Sequence, residues 1–237
     1  MKKDLLDILK IEKNNIITIT GTGGKTSLMF YLGKLLKEKG SVLISTSTKI
    51  GYPKKDEVDF LFTSHLEYVK ENFDKKIICI GEKIENMEKL SSLKEEDLKI
   101  ISKDFDYVLI EGDGSRNLPI KMWKDHEPVI FSISNKVIGV MPIKNFGEKI
   151  SPDFIYNFEG FKDHIDSQIL NEEVYAELIN YEKGLFKAFQ GEKIVFLNQS
   201  DSEIDKENAK KVYKLLSKTK DKKLVYGSIK REEFYEY

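Results

Sequence analysis

The chain has 237 residues, which at roughly 150 residues per domain is one to two domains and enough to bury a core without disulfides or a structural metal. Thirty-nine Lys and Arg stand against forty Asp and Glu, a net charge of −1, so no global excess of positive charge meets a phosphate backbone and nucleic acid is not an expected partner. Forty per cent apolar and eleven per cent aromatic residues exclude disorder.

Residues 1–10 begin basic like a signal peptide, but Asp4, Asp7 and Lys10 interrupt the apolar core that such a peptide needs. Leu5, Leu6, Ile8 and Leu9 predict a short amphipathic helix instead. Ile16 to Thr20 is β-branched and predicts a strand, which ends at a Gly-rich turn. Apolar residues at helical spacing follow from Ser27 to Leu36, with Gly40 as the stop. Further strands are predicted at Val42 to Thr46, Phe60 to Phe62, Ile77 to Ile80 and Tyr107 to Ile110, with a charged helix at Ser91 to Ser102. The single cysteine, Cys79, lies in one of these apolar runs and reads as a buried strand thiol.

Val137 to Met141 and Ile194 to Leu197 read as buried strands, Ile204 to Ser217 as a polar helix, and Leu224 to Tyr226 as the last strand. The lysine run from Lys218 to Lys223 reads as a solvated turn. Continuous apolar runs separated by helices indicate a parallel sheet buried on both faces. The expected fold is therefore a doubly wound, mostly parallel α/β sheet with a P-loop-like nucleotide-binding core, a single domain over 1–237. Residues 151–190 show no clear strand and read as a helical insertion. No apolar stretch approaches the roughly 18 residues needed to span a bilayer, so a cytoplasmic location without membrane partners is expected.

The strongest chemical signal is Thr20-Gly21-Thr22-Gly23-Gly24-Lys25-Thr26-Ser27, between the first strand and the first long helix. Glycines let a backbone approach a phosphate closely, and a helix N-terminus favours its charge. Lys25 can reach β- and γ-phosphates and the Thr26 hydroxyl can ligand Mg²⁺. Ile19 stands where a full Walker A loop has its first glycine. A shortened Gly-Thr-Xaa-Gly-Lys-Thr loop of this kind resembles that of Mur-type ligases. Glu111, at the end of the Tyr107 strand, is placed as a Walker B carboxylate would be, with Asp113 the alternative. In the loop that follows, Arg116 can clamp a phosphate or carboxylate and Asp113 can orient a water or hydroxyl. The hydroxyls of Ser45 to Thr48, with Lys49, can line the same mouth. Asn198-Gln199-Ser200-Asp201 is similar to the guanine-reading motif of GTPases with Gln199 in place of its lysine, and is equally a helix N-cap. Neither ATP nor GTP is selected by these residues. His65, His126 and His164 lack partners at metal spacing.

Gly21 to Ser27, Thr46-Ser47-Thr48-Lys49, Asp113-Gly114-Ser115-Arg116, Leu118-Pro119, Lys121 and His126-Glu127-Pro128 together resemble the YqeC family. Its members are described as accessory factors for selenium-dependent molybdenum hydroxylases. The Asp-Gly-Ser-Arg to His-Glu-Pro stretch carries the resemblance more specifically than the Gly-rich loop. Met122-Trp123 and Phe131 stand where the family often has prolines. The resemblance implies a P-loop-like domain that serves maturation of a molybdenum enzyme, with the hydroxylase or its cofactor as partner. The expected function is that of an Mg²⁺-dependent accessory protein that binds and hydrolyses ATP or GTP; phosphoryl transfer to a small molecule, Mur-like ligation, and a non-catalytic nucleotide-gated chaperone are the alternatives.

Overall fold

The computed structural model describes residues 4–217 and 221–237, so part of the lysine run at 218–223 lies outside the described residues. In chain order the elements are α1 (Leu5–Leu9), β1 (Asn15–Gly21), α2 (Lys25–Lys37), β2 (Val42–Thr46), β3 (Lys49–Gly51), β4 (Phe60–Phe62), β5 (Ile77–Ile80), β6 (Glu82–Lys83) and β7 (Lys89–Ser91). They continue with α3 (Glu95–Ile101), β8 (Tyr107–Glu111), β9 (Ile120–Lys121), β10 (Lys136–Pro142), β11 (Ile155–Tyr156), α4 (Phe158–Lys162) and α5 (Glu172–Asn180). The last are β12 (Glu192–Asn198), α6 (Glu203–Leu216), β13 (Lys223–Ser228) and β14 (Glu233–Glu236).

Nine strands form one sheet in the order β14-β13-β12-β10-β1-β8-β2-β5-β4. All its pairings are parallel except the last hairpin, β13 with β14. Alternate side chains of each central strand enter different cores, as the two-residue period of a strand requires. Ile17 and Ile19, Val42 and Ile44, and Ile138 and Val140 face α1 and α2. On the other face Val137, Met141, Val195 and Leu197 pack beneath α5 and α6, while Leu43, Ile78, Val108 and Ile110 pack beneath α3. Helices therefore cover both faces, which is why these strands read as unbroken apolar runs. Cys79 is fully buried, and burial pushes its thiol up to about 12.

The last predicted strand is not the last. β14 follows β13 and adds Phe234 to the core beside Phe196. Residues 151–190 hold α4 and α5, and also β11, which pairs in parallel with β9. Two-residue strands carry no alternation that a sequence pattern could reveal. A small antiparallel sheet, β3-β7-β6, stands after the carboxyl end of β2.

At the opposite end of the sheet, Lys136 is buried at the start of β10. Its ammonium donates to the carbonyls of Leu9 at 2.8 Å and Lys10 at 2.7 Å, the last turn of α1, and pairs with Glu192 at 3.1 Å.

Candidate functional site

The connections around β1 reverse direction: the chain passes from β1 to β2 on one side and later places β10 on the other. Ligands of open α/β sheets gather at the carboxyl ends of strands at such a switch. A cleft of about 640 Å³ opens there, lined by Gly23 to Ser27, Glu111, the 114–119 loop, Pro142, Lys144 and Gln199, with Lys49 to Gly51 and Lys89 on its far wall.

The Gly-rich loop owes its course to three left-handed residues. Gly21, Gly23 and Gly24 have φ of 93°, 73° and 115°. A Cβ on Gly21 would sit 2.2 Å from the Val140 carbonyl oxygen, and one on Gly23 would meet Pro142 at 2.5 Å. Both positions require glycine for conformation and for space. Gly24 is the N-cap of α2 and supplies no side-chain cap, so the first N–H groups of that helix keep their hydrogen-bonding capacity. The Asn198 amide donates to the Gly23 carbonyl at 2.7 Å and steadies the loop from β12.

Thr26 and Glu111 meet at the base of the cleft, where the threonine hydroxyl donates to Glu111 Oε2 at 2.6 Å. Glu111 is buried, and this burial raises its pKa above the ordinary carboxyl range against the opposing pull of Lys25 and the Thr26 hydrogen bond. Its carbonyl is fixed by the Thr46 hydroxyl at 3.0 Å and the Ser47 amide at 3.0 Å, so the hydroxyl run after β2 orders the strand that carries the acid. Lys25 folds back to donate to the Gly21 carbonyl at 2.7 Å.

Asp113 lies beneath the loop and is fully buried. Its Oδ1 accepts the Gly21 N–H at 2.9 Å and lies 3.6 Å from Lys25; its Oδ2 accepts from Trp123 Nε1 at 2.8 Å and pairs with Lys121 at 3.1 Å. Lys121, also buried, reaches Glu127 at 3.0 Å, donates to the Gly114 carbonyl and packs over Tyr156, its partner across β9 and β11. The Thr22 hydroxyl donates to the Pro119 carbonyl at 2.6 Å. The Gly-rich loop and the loop after β8 are thus tied together twice. Arg116 lines the cleft and lies against Tyr156.

Asn198 and Asp201 are placed differently from cleft residues. Asn198 serves the Gly23 carbonyl, and Asp201 accepts from the Ser228 hydroxyl, while Gln199 between them lines the cleft. Lys89 and Lys144 line the cleft without having stood out in the sequence. Both are exposed, Lys89 at the start of the three-residue β7 and Lys144 in the turn after β10, and in a chain with 39 basic residues only the pairing of β3 with β7 and the end of β10 distinguish them.

No group of three or more His, Cys, Asp or Glu among the described residues has the arrangement of a metal cage. The Thr26 hydroxyl and the Glu111 carboxylate are instead a pair of hard oxygens, the donor type that could ligand a cation such as Mg²⁺. No helix among the described residues is long and apolar enough to cross a membrane.

The model of the YqeC protein family matches residues 17–159, which contain the Gly-rich loop, Glu111 and the whole Asp113–Lys121–Glu127 cluster. The uncharacterized protein YqeC of Escherichia coli (strain K12) is 30% identical over 200 residues, covering 77% of this chain and 74% of that protein. No solved structure matches. The chain belongs to the YqeC family.

Proposed function

We propose that this protein binds a nucleoside triphosphate with Mg²⁺ in the cleft at the end of β1, and that it uses the nucleotide in maturing a selenium-dependent molybdenum hydroxylase. The observation that carries the reading is the uncapped N-terminus of α2 behind a left-handed glycine loop, facing the Thr26–Glu111 pair. N–H groups of Gly23 to Ser27 would take the phosphate oxygens, as a helix start favours anions. Lys25, released from the Gly21 carbonyl, would neutralise the β- and γ-phosphates, and Arg116 would take charge that develops on the transferred group.

Thr26 and Glu111 would hold the ion, whose contribution is to offset charge on the phosphate oxygens. Asp113 acts here as a positioning residue, since its oxygens are occupied by Gly21, Trp123 and Lys121 beneath the loop.

Calorimetry with ATP and with GTP, each with and without Mg²⁺, tests the reading. Metal-dependent binding in the micromolar range is expected, with loss of at least about tenfold in Lys25→Ala and an unchanged circular dichroism spectrum. Equal affinity in wild type and variant would remove the phosphate loop from the account.

A further inference from the structure

Five cationic side chains, Lys25, Lys49, Lys89, Arg116 and Lys144, line the cleft, and Glu111 is the acid among the described residues that line it. A magnesium-bound nucleoside triphosphate keeps only about two uncompensated negative charges. The cleft is therefore more cationic than its first ligand requires. The surplus is built into the far wall. In the β3–β7 pairing Lys49 lies opposite Ser91 and Gly51 opposite Lys89, so the two lysines are diagonal neighbours. They share the outer face of the ribbon, while Ile50 and Leu90 turn inward to the core. No ion pair among the described residues neutralises either lysine. Gly51, beside Lys89, leaves open space where a side chain would stand, and so does Gly114 across the cleft.

Two like charges held side by side repel each other unless an anion lies between them. We infer that the β3–β7 ribbon is a second anion subsite, in which Lys49 and Lys89 hold a phosphate monoester while the nucleotide occupies the Gly-rich loop. The inference rests on the nucleotide reading for the charge that Lys25 neutralises. The second ligand is then a small molecule bearing a terminal dianionic phosphate, or free phosphate itself.

The test is calorimetric titration of phenyl phosphate, and separately of inorganic phosphate, into the full chain saturated with Mg²⁺ and a β,γ-imido nucleotide. Phenyl phosphate is expected to bind the loaded protein, and Lys89→Ala to weaken it about tenfold. Nucleotide affinity should stay within about threefold, and Lys83→Ala, on the neighbouring strand and outside the cleft, should do little. Tighter binding of phenyl phosphate than of inorganic phosphate would mark an organic phosphate as the ligand, and the reverse would mark free phosphate. Displacement of phenyl phosphate by the nucleotide, or an equal loss in Lys83→Ala, would overturn the subsite. Lysine-dependent phosphate binding in a chain that takes no nucleotide would overturn the nucleotide reading and leave the subsite standing.

Discussion

Glu111 combines two demands that pull against each other, since a metal ligand must be charged and a buried carboxyl resists charge. Its pKa in the unfolded chain is near 4.5, and burial raises it in the folded one. The folded state therefore holds its proton more tightly. The stability this group contributes is complete below about 4.5 and falls as pH rises through the folded value. Glu111→Gln should therefore raise the melting temperature at pH 7, and the gain should vanish in melts below the unfolded value. The same variant should lose the Mg²⁺ dependence of nucleotide binding. A lower melting temperature at pH 7 would show that Lys25 and Thr26 offset the burial fully. That Lys25, Thr26 and Glu111 come together was legible because each has a fixed distance from a strand end. The burial of Asp113 was not legible, because it depends on Trp123 and Lys121 approaching through a two-residue strand.

The Gly-rich loop shows how an element is shaped from both sides. Its left-handed glycines are a local property, readable in sequence, but the surfaces that make them obligatory are Val140 and Pro142 of a strand far along the chain. Gly23→Ala places a Cβ against Pro142 at a φ of 73°, and should destabilise the fold by about 1 to 3 kcal/mol in urea unfolding while abolishing nucleotide binding. Full nucleotide affinity in this variant would mean that the loop can move away from β10. The long strands were legible because both faces are covered, which leaves no polar alternation to confuse the pattern. The β3-β7-β6 sheet was not, since its three-residue strands pair residues 49–51 with 89–91. Lys89 on the far wall of the cleft went unnoticed for that reason, whereas Lys49 was legible from its place at the end of β2.

Across the whole molecule the sheet is deepest at β1, where β8 and β10 flank it, and thinnest at β4 and β14. Amide exchange should follow that order, slowest in β1 and β10 and fastest at the two edges. The final hairpin is nevertheless part of the core. Phe234 is buried against Tyr31 and Phe196, so Phe234→Ala should cost about 3 to 5 kcal/mol, measured by denaturant unfolding, with nucleotide affinity intact. A cost under about 1 kcal/mol would show that β14 only decorates the edge. The strand itself escaped a reading of periodicity because Glu233-Phe234-Tyr235-Glu236 is short and charged at both ends.

The ammonium of Lys136 holds the segment that contains α1 at the end of the sheet opposite the cleft. A five-residue helix has no independent stability, so the attachment of α1 rests on its apolar face and on the Lys136 ammonium, whose three donors are spent on Leu9, Lys10 and Glu192. Loosening it would let the first residues peel away and expose Leu5, Leu6, Ile8 and Leu9 to proteases or to other chains, with the cleft still formed. The attachment of the first helix and the shape of the cleft are therefore set at opposite ends of the same strands, and one can loosen while the other stays formed.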